Sequence, residues 1–424
     1  MNSAANLDAD ARPRTNTEML DSSGKHRDEG AENQWQPAAL GDLIDLFDSQ
    51  RVPLSSSERM HRQGEYRYYG AQGVIDYIDD YIFDGRYILV AEDGENLNSR
   101  KLPLALIADG KFWVNNHAHI LRGKQGVMDD KYLLHALNHM DIRPYVTGAA
   151  QPKLSQGNLR GIVLRVPPLA EQRRIAGILS AYDDLIENCQ RRIRILEEMA
   201  RRLYREWFVH YRYPGHESIP LTDSPLGSIP RGWEVKTLAS ICCRMESGGT
   251  PSRSKEEFWA EGTIDWYKTK ELWDGHLFES EERISEAGLA KSSARVFEAG
   301  TLLMAIYGSP TVGRLGIVTR PSCCNQAALG MVADPTFASQ TFLYYLLMEL
   351  REHFNSIAQG AAQQNISKEK VACAVVALPP RDLIARFDSV AGPIFDQLAV
   401  LNGASRNLRR TRDLLLPRLL SGGE

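Results

Sequence analysis

The sequence predicts an α+β chain built twice on one plan, each copy a globular unit followed by a long α-helix. Three observations predict it: a gapless internal repeat, an apolar heptad seam after each of two double prolines, and globular stretches that mix short strand-like runs with helical ones.

The internal repeat sets the whole architecture. Residues 148–168 (GAAQPKLSQGNLRGIVLRVPP) and 360–380 (GAAQQNISKEKVACAVVALPP) share 8 of 21 positions at a constant offset of 212. Gly148-Ala149-Ala150-Gln151 recurs as Gly360-Ala361-Ala362-Gln363, and Pro167-Pro168 as Pro379-Pro380. A weaker echo aligns Trp35–Leu40 with Trp233–Leu238, Phe83–Leu89 with Phe297–Leu303, and Asn116-His117-Ala118 with Asn325-Gln326-Ala327. The copies match at their ends and diverge in the middle.

Helices follow the double prolines, since proline is tolerated in a helix's first turn. After the first, Ile175, Leu179, Tyr182, Ile186, Cys189, Ile193, Leu196, Ala200, Leu203 and Trp207 step by fours and threes, an a/d seam. Adding 212 gives Phe387, Ala391, Ile394, Leu398, Leu401, Ser405, Leu408, Arg412, Leu415 and Leu419, a seam weakened at Ser405 and Arg412. Ile175–Trp207 would span about 50 Å at 1.5 Å per residue. These seam positions are expected to be core rather than binding surface.

Within the units, Tyr87–Ala91, Leu104–Ala108, Phe112–Val114, Leu302–Ile306 and Leu315–Val318 read as strands, and Tyr132–Asn138 and Thr341–Phe354 as helices. No strand–helix alternation suggests a doubly wound sheet, so a curved, partly barrel-like sheet is expected. The segmentation is a tail at 1–34, globular units at 35–168 and 231–380, helices at 169–212 and 381–424, and a Pro/Gly-rich linker at 213–230. The tail is expected to be disordered, since it has few large apolar residues to offset its ordering entropy.

Composition narrows the function classes. The chain has 424 residues, room for two or three domains, and a net charge of −4. That charge argues against a uniformly basic nucleic-acid coat. Yet the tail contributes −3, while residues 160–212 and 403–420 carry +4 each. No apolar run reaches the roughly 18–20 residues of a membrane span. The N-terminus lacks a secretory h-region, so a cytoplasmic location is expected. None of the six cysteines has zinc-site spacing, and buried free thiols with no metal are expected. There is no phosphate loop, no G-x-G-x-x-G, no H-E-x-x-H, no G-x-S-x-G, no nuclease P-D…[DE]-x-K and no N-P-P-[YF] methyltransferase site. With no catalytic residue nominated, a recognition or scaffold role is favoured over an enzyme.

The run PPLAEQRRIA at Pro167–Ala176, closing a unit and opening a long helix, resembles the specificity subunits of type I restriction-modification systems. So do Gly232-Trp233, SGGTPS at Ser247–Ser252, Trp266 with Lys268 and Lys270, Gly308 with Gly313-Arg314, and Asn325-Gln326. The second copy departs, with Arg381–Arg386 lacking Glu-Gln, and the first unit has no Gly-Gly-Thr-Pro. The resemblance implies a non-catalytic subunit with two target recognition domains, each reading half of an asymmetric double-stranded DNA site. It implies that the helices pack as an antiparallel coiled-coil spacer. Partner methyltransferase subunits would use S-adenosylmethionine to methylate adenine N6, and restriction/translocase subunits would use ATP and Mg; no cofactor is expected in this chain. The other class left open is a coiled-coil scaffold whose units bind protein.

Candidate DNA contacts follow from side-chain chemistry. Arg67 and Tyr69 interleave charge and aromaticity, and Lys153, Lys268, Lys270 and Arg314 suit phosphate or guanine. Asn116, His117, Asn325 and Gln326 offer groups that match base edges, amides pairing with adenine. Gln151 and Gln363 recur at one repeat position, and Gly249, Thr250 and Ser309 lie in Gly-containing loops.

Overall fold

The computed structural model describes residues 35–148, 150–308, 311–358 and 365–421. The chain divides into two compact units, residues 1–181 with 413–424, and 182–412.

Each unit is closed by its own ends. In the first, Gln36–Ala39 pairs antiparallel with Val163–Val166, just ahead of the double proline. In the second, Glu234–Thr237 pairs the same way with Val375–Leu378. The Trp35 and Trp233 echo marks these closing strands. The serine shared by both repeats caps a short helix each time: Ser155 Oγ accepts from Asn158 N at 3.2 Å, Ser367 Oγ from Lys370 N at 3.3 Å.

Besides its two-stranded closing pair, each unit holds two further main sheets where one curved sheet was expected. The first unit orders Ile44–Leu46, Ala118–Gly123, Tyr87–Ala91 and Ala105–Ala108 in one antiparallel sheet. A second sheet orders Gly73–Ile78, Gln63–Gly70, Lys111–Val114 and Phe83–Asp84, the central pair parallel. The second unit repeats this plan. Its larger sheet orders Cys242–Ser247, Ala328–Ala333, Leu302–Ala305, Leu315–Val318 and an added Gly275–Leu277. Its smaller one orders Glu282–Ile284, Ile264–Tyr267 and Cys323–Cys324, the last pair parallel. Duplication therefore extends through the middle, where sequence identity fades. A helix follows the matching strands Ala118–Gly123 and Ala328–Ala333: Asp130–His139 in the first unit, and Gln340–Glu349 continued by Arg351–Ile357 in the second.

Strand pairing corrects one alignment. Tyr69 sits opposite Val114 and Tyr267 opposite Cys324 in the parallel pairs. Asn115 N donates to Tyr69 O at 3.0 Å, and Asn325 N to Tyr267 O at 2.9 Å. Asn325 thus corresponds to Asn115, and Gln326 to Asn116, one residue off the register expected above.

The first long helix, Leu169–Tyr204, ends in a π-turn at Arg205–Val209. It stops short of the expected Arg212 because Tyr211 turns left-handed, φ 58°. Its PPLAEQ opening has a structural cause. Buried Gln172 accepts from Asp129 N at 2.9 Å and donates to Val127 O at 3.0 Å and Pro167 O at 2.9 Å, strapping the helix to its unit. In the second copy, position 384 is a buried isoleucine.

The second long helix, Arg381–Leu420, runs unbroken through Pro393. An interior proline costs about 3 kcal/mol. Burial of Phe387, Ala391, Leu398 and Leu401 outweighs it, since each large apolar side chain contributes about 1.5–3 kcal/mol. In the second unit, Ala200, Tyr204 and Phe208 share a core with Leu383, Ile384, Phe387 and Ala391. In the first, Ile175, Ala176 and Leu179 share one with Leu416, Leu419 and Leu420. Each pairing sets the end of one helix against the start of the other, so the packing is antiparallel. Ile175, Leu179, Ile186, Phe387 and Leu398 are buried; Ile193, Leu196, Leu203, Ile394, Leu408 and Leu415 are half-buried.

The linker is not bare coil. Leu221–Ser224 and Gly227–Pro230 form a hairpin, and Tyr213, Ile229 and Trp233 enter the second unit's core. The cysteines are free, but Cys243 and Cys373 are exposed, against the expectation of burial; both lie where strand or helix edges meet solvent. No helix among the described residues is long and apolar enough to cross a membrane.

Candidate nucleic-acid interface

In each unit the candidate residues gather along one edge of the sheet that carries Tyr87–Ala91 in the first unit and Leu302–Ala305 in the second, because adjacent antiparallel strands end and begin there. In the first unit, Ala91 ends its strand opposite Ala118, which begins the next. The loops beyond carry Glu92 and Asp93 on one side and Asn116 and His117 on the other. Asp93 bridges to Lys153, which also pairs with Thr147. This brings Asn116, His117, Gln151 and Lys153 to one exposed edge.

Carboxylates hold the basic groups there. His117 Nδ1 lies 2.6 Å from Asp93 Oδ2, and Lys153 Nζ 3.3 Å from Glu92 Oε1. Beneath them, Arg51 Nη1 donates to Glu92 Oε2 at 2.7 Å and to Ala118 O at 2.9 Å. Buried His119 sets Nδ1 2.6 Å from Asp48 Oδ2 and Nε2 2.7 Å from Leu154 O. Burial works against ionising Asp48, but hydrogen bonds from His119 and Ile120 N–H hold its carboxyl below the usual range. Ligand atoms of Asp48, Glu92 and His119 lie within 4.8 Å of one another, a separation a metal could bridge. Arg51 and Leu154 already engage those atoms, so the group reads as a structural network. Gly148 turns with φ 90°, and a Cβ there would stand 2.3 Å from Gln151 O, a backbone reason for glycine at the head of the repeat.

The second unit's edge runs in strand order from Gly248–Thr250, through Asn325–Gln326, Tyr307–Gly308 and Thr311–Arg314, to Trp273. Gly249 is buried: its carbonyl accepts from Trp266 Nε1 at 2.9 Å, and a Cβ would stand 2.1 Å from Ser293 O. Thr250 Oγ1 hydrogen-bonds Gln326 Oε1. Gly308 N donates to Asn365 Oδ1 at 3.2 Å. Arg314 stacks over Trp273, 4.3 Å from the ring centroid, and that tryptophan is 70% exposed. Lys268 and Lys270 lie beside this edge with Arg253, Glu281 and Glu282.

The type I restriction modification DNA specificity domain matches this chain twice, over residues 32–198 and 230–386. The chain belongs to the type I restriction-modification specificity family. Relatives include the type I restriction enzyme MjaIX specificity subunit of Methanocaldococcus jannaschii, 26% identical over 78% of this chain and 77% of that one. A candidate specificity subunit of Haemophilus influenzae, S.HindORF215P, is 25% identical over 92% of this chain and 96% of its own. The fold is shared with the crystal structure of a type I restriction-modification S subunit from M. genitalium, TM-score 0.65, 17% identity, covering 92% of this chain and 97% of that one. As a specificity subunit, this chain recognises DNA target sites for a type I system and is itself non-catalytic.

Not every nominated residue is placed to touch DNA. The ring of Tyr69 is buried against Phe112, packed there by strand alternation, so it is a core residue. Gly249 is likewise a packing position. Exposed Arg67 donates to Asp109 O at 2.6 Å, on the other sheet of its unit. Ser309 and Gln363 lie outside the described residues, as does the 1–34 tail. Arg51, Glu92, Asp93, Arg253, Trp273, Glu281, Glu282 and Asn365 escaped the sequence reading. Only Asn365 left a trace in it, standing 212 residues after Lys153 in the repeat.

Proposed function

We propose that each unit of this specificity subunit reads one half of an interrupted, asymmetric DNA site through the edge of the sheet that carries Tyr87–Ala91 in the first unit and Leu302–Ala305 in the second. One observation carries the reading: corresponding positions on two matching edges hold different chemistry. Asn116 answers to Gln326, Asp93 to Tyr307, Lys153 to Asn365, and Gly70 to Lys268. Equal frames bearing unequal side chains are what unequal half-sites require, because base edges are discriminated by donor and acceptor pattern. Residues 35–168 and 231–380 are the target recognition domains, connected through the first helix and the 213–230 linker. The helices at 169–212 and 381–424 are the spacer that sets half-site separation.

In this reading the partners are double-stranded DNA, methyltransferase subunits that use S-adenosylmethionine on adenine N6, and restriction subunits that use ATP and Mg, all in the cytoplasm. Asn116, His117, Lys153, Thr250, Asn325, Gln326 and Arg314 contact DNA, with Gln151 supporting the first edge. Co-expression with a type I adenine methyltransferase, followed by methylation mapping of genomic DNA, tests it. An interrupted, asymmetric adenine motif is expected; no methylation, with no DNA binding at low salt, overturns it. Deleting one heptad from the first helix should alter the gap between half-sites, or abolish methylation, while leaving both half-site sequences intact. A changed half-site sequence counts against the spacer role.

A further inference from the structure

Three cations beside the second unit's edge are each held by a carboxylate. Lys268 Nζ is 2.8 Å from Glu282 Oε1 and 3.0 Å from Glu281 Oε2. Lys270 Nζ is 2.6 Å from Glu281 Oε2, and Arg253 Nη2 is 2.6 Å from Glu282 Oε2. Two adjacent glutamates thus serve three basic side chains. Lys270 and then Lys268 hold the Glu281 carboxyl below the usual carboxylate range, and Lys268 does most of the same for Glu282.

The outer part of this arrangement faces solvent, while Lys268 and Glu282 are 20% and 33% exposed. Arg253, Lys270 and Glu281 are about half exposed, and exposed ion pairs add little to stability. The local backbone is held independently, by Trp266 Nε1 on Gly249 O and Asn325 N on Tyr267 O. Carboxylates beside a DNA-reading edge are also unfavourable for phosphate, which supplies nearly all non-specific affinity through free Lys and Arg. Arg253 is further fixed by stacking on Trp259, 3.7 Å from the ring centroid. One side of its guanidinium is taken by Glu282, and the fork keeps further donors suited to a base edge.

We infer that Glu281 and Glu282 are specificity-determining residues that withhold Lys268, Lys270 and Arg253 from indiscriminate phosphate contact. A DNA half-site engages these cations only where its bases and backbone together replace the glutamates. This rests on the second unit's edge facing DNA, as proposed above.

The test uses the full chain and a mixed-sequence duplex of about 30 base pairs, with affinity measured across salt concentrations. Each cation newly given to phosphate steepens the dependence of log K on log salt by about 0.9. Glu281→Gln with Glu282→Gln should therefore steepen the slope by about two and tighten non-specific binding about tenfold at low salt. Methylation mapping should show a relaxed second half-site and an unchanged first one. Glu281→Gln alone, at a half-exposed position, should steepen the slope by about one even if the double variant folds poorly. Glu281→Asp with Glu282→Asp keeps both charges and should restore the wild-type slope. If wild-type binds DNA and neither Gln variant changes the slope, or the Asp variant changes it equally, the inference fails alone. If wild-type binds no DNA at low salt, the functional reading fails and takes the inference with it.

Discussion

Arg412 donates through Nη1 to Asp183 Oδ1 at 2.6 Å, joining the two long helices across 229 residues of sequence. In the heptad pattern Arg412 is a defect, a charge where an apolar residue belongs. In the structure it is partly buried, its guanidinium placed on the facing helix. A polar pair at a seam favours one register over its neighbours, because a shift of one turn separates the partners.

That pair gives a measurable coupling. Both side chains retain solvent contact, so a double-mutant cycle with Arg412→Ala and Asp183→Ala should return about 0.5 kcal/mol, shrinking in high salt. A coupling near zero would make the contact incidental to the helix pairing.

Gly249 and Thr250 should separate cleanly. A Cβ on Gly249 meets the Ser293 carbonyl, which is backbone and cannot swing away. Gly249→Ala should cost about 1–3 kcal/mol of stability by overpacking, seen as a lower thermal midpoint. Thr250→Ala loses one exposed hydrogen bond to Gln326 and should leave the midpoint nearly unchanged while altering methylation at the second half-site only.

Histidine 276 sets a pH dependence in the second unit. Burial beside Phe395 and Phe278 pushes its pKa down to about 4, with Asp396 pulling the other way. The unfolded chain binds a proton near pH 6.5 that the folded chain refuses. Stability is therefore full above that value and declines as pH falls from about 6.5 to about 4. His276→Gln should flatten the thermal midpoint across this window; an unchanged slope would assign the acid loss elsewhere.

Thiol reactivity should follow exposure. Burial pushes Cys242 up to about 12 and Cys323 up to about 11, and Cys324 higher still. Alkylation of the native chain at pH 8 should label Cys243 and Cys373 quickly and leave those three until denaturation. Mass spectrometry of the labelled peptides reads the result; rapid labelling at Cys324 would contradict its buried placement between the sheets.

Much of the fold was legible because local chemistry is periodic. Tyr87–Ala91 and Leu315–Val318 are strands with the bounds their apolar runs suggest, and each helix seam turned inward. The candidate site was legible by residue type more than by position. Asn116, His117, Gln151 and Lys153 do meet, because the repeat and the strand ends bring them together. Tyr69 failed since alternation alone cannot say which face of a strand is inside. The Asn116–Asn325 match failed by one residue because strand pairing, not residue identity, fixes that register. The glutamates at 281 and 282 gave no signal, since a sequence lists charges without their neighbours.

The sequence by itself determined the duplication, the two helices and the family, all of which rest on spacing along the chain. Tertiary structure alone decided which cations are paired, which glycines are obligatory and which side chains share an edge. The reason is physical: periodicity is a local property of the backbone, whereas Lys268 meets Glu282, and Arg412 meets Asp183, only after hydrophobic burial has brought distant segments within a few ångströms.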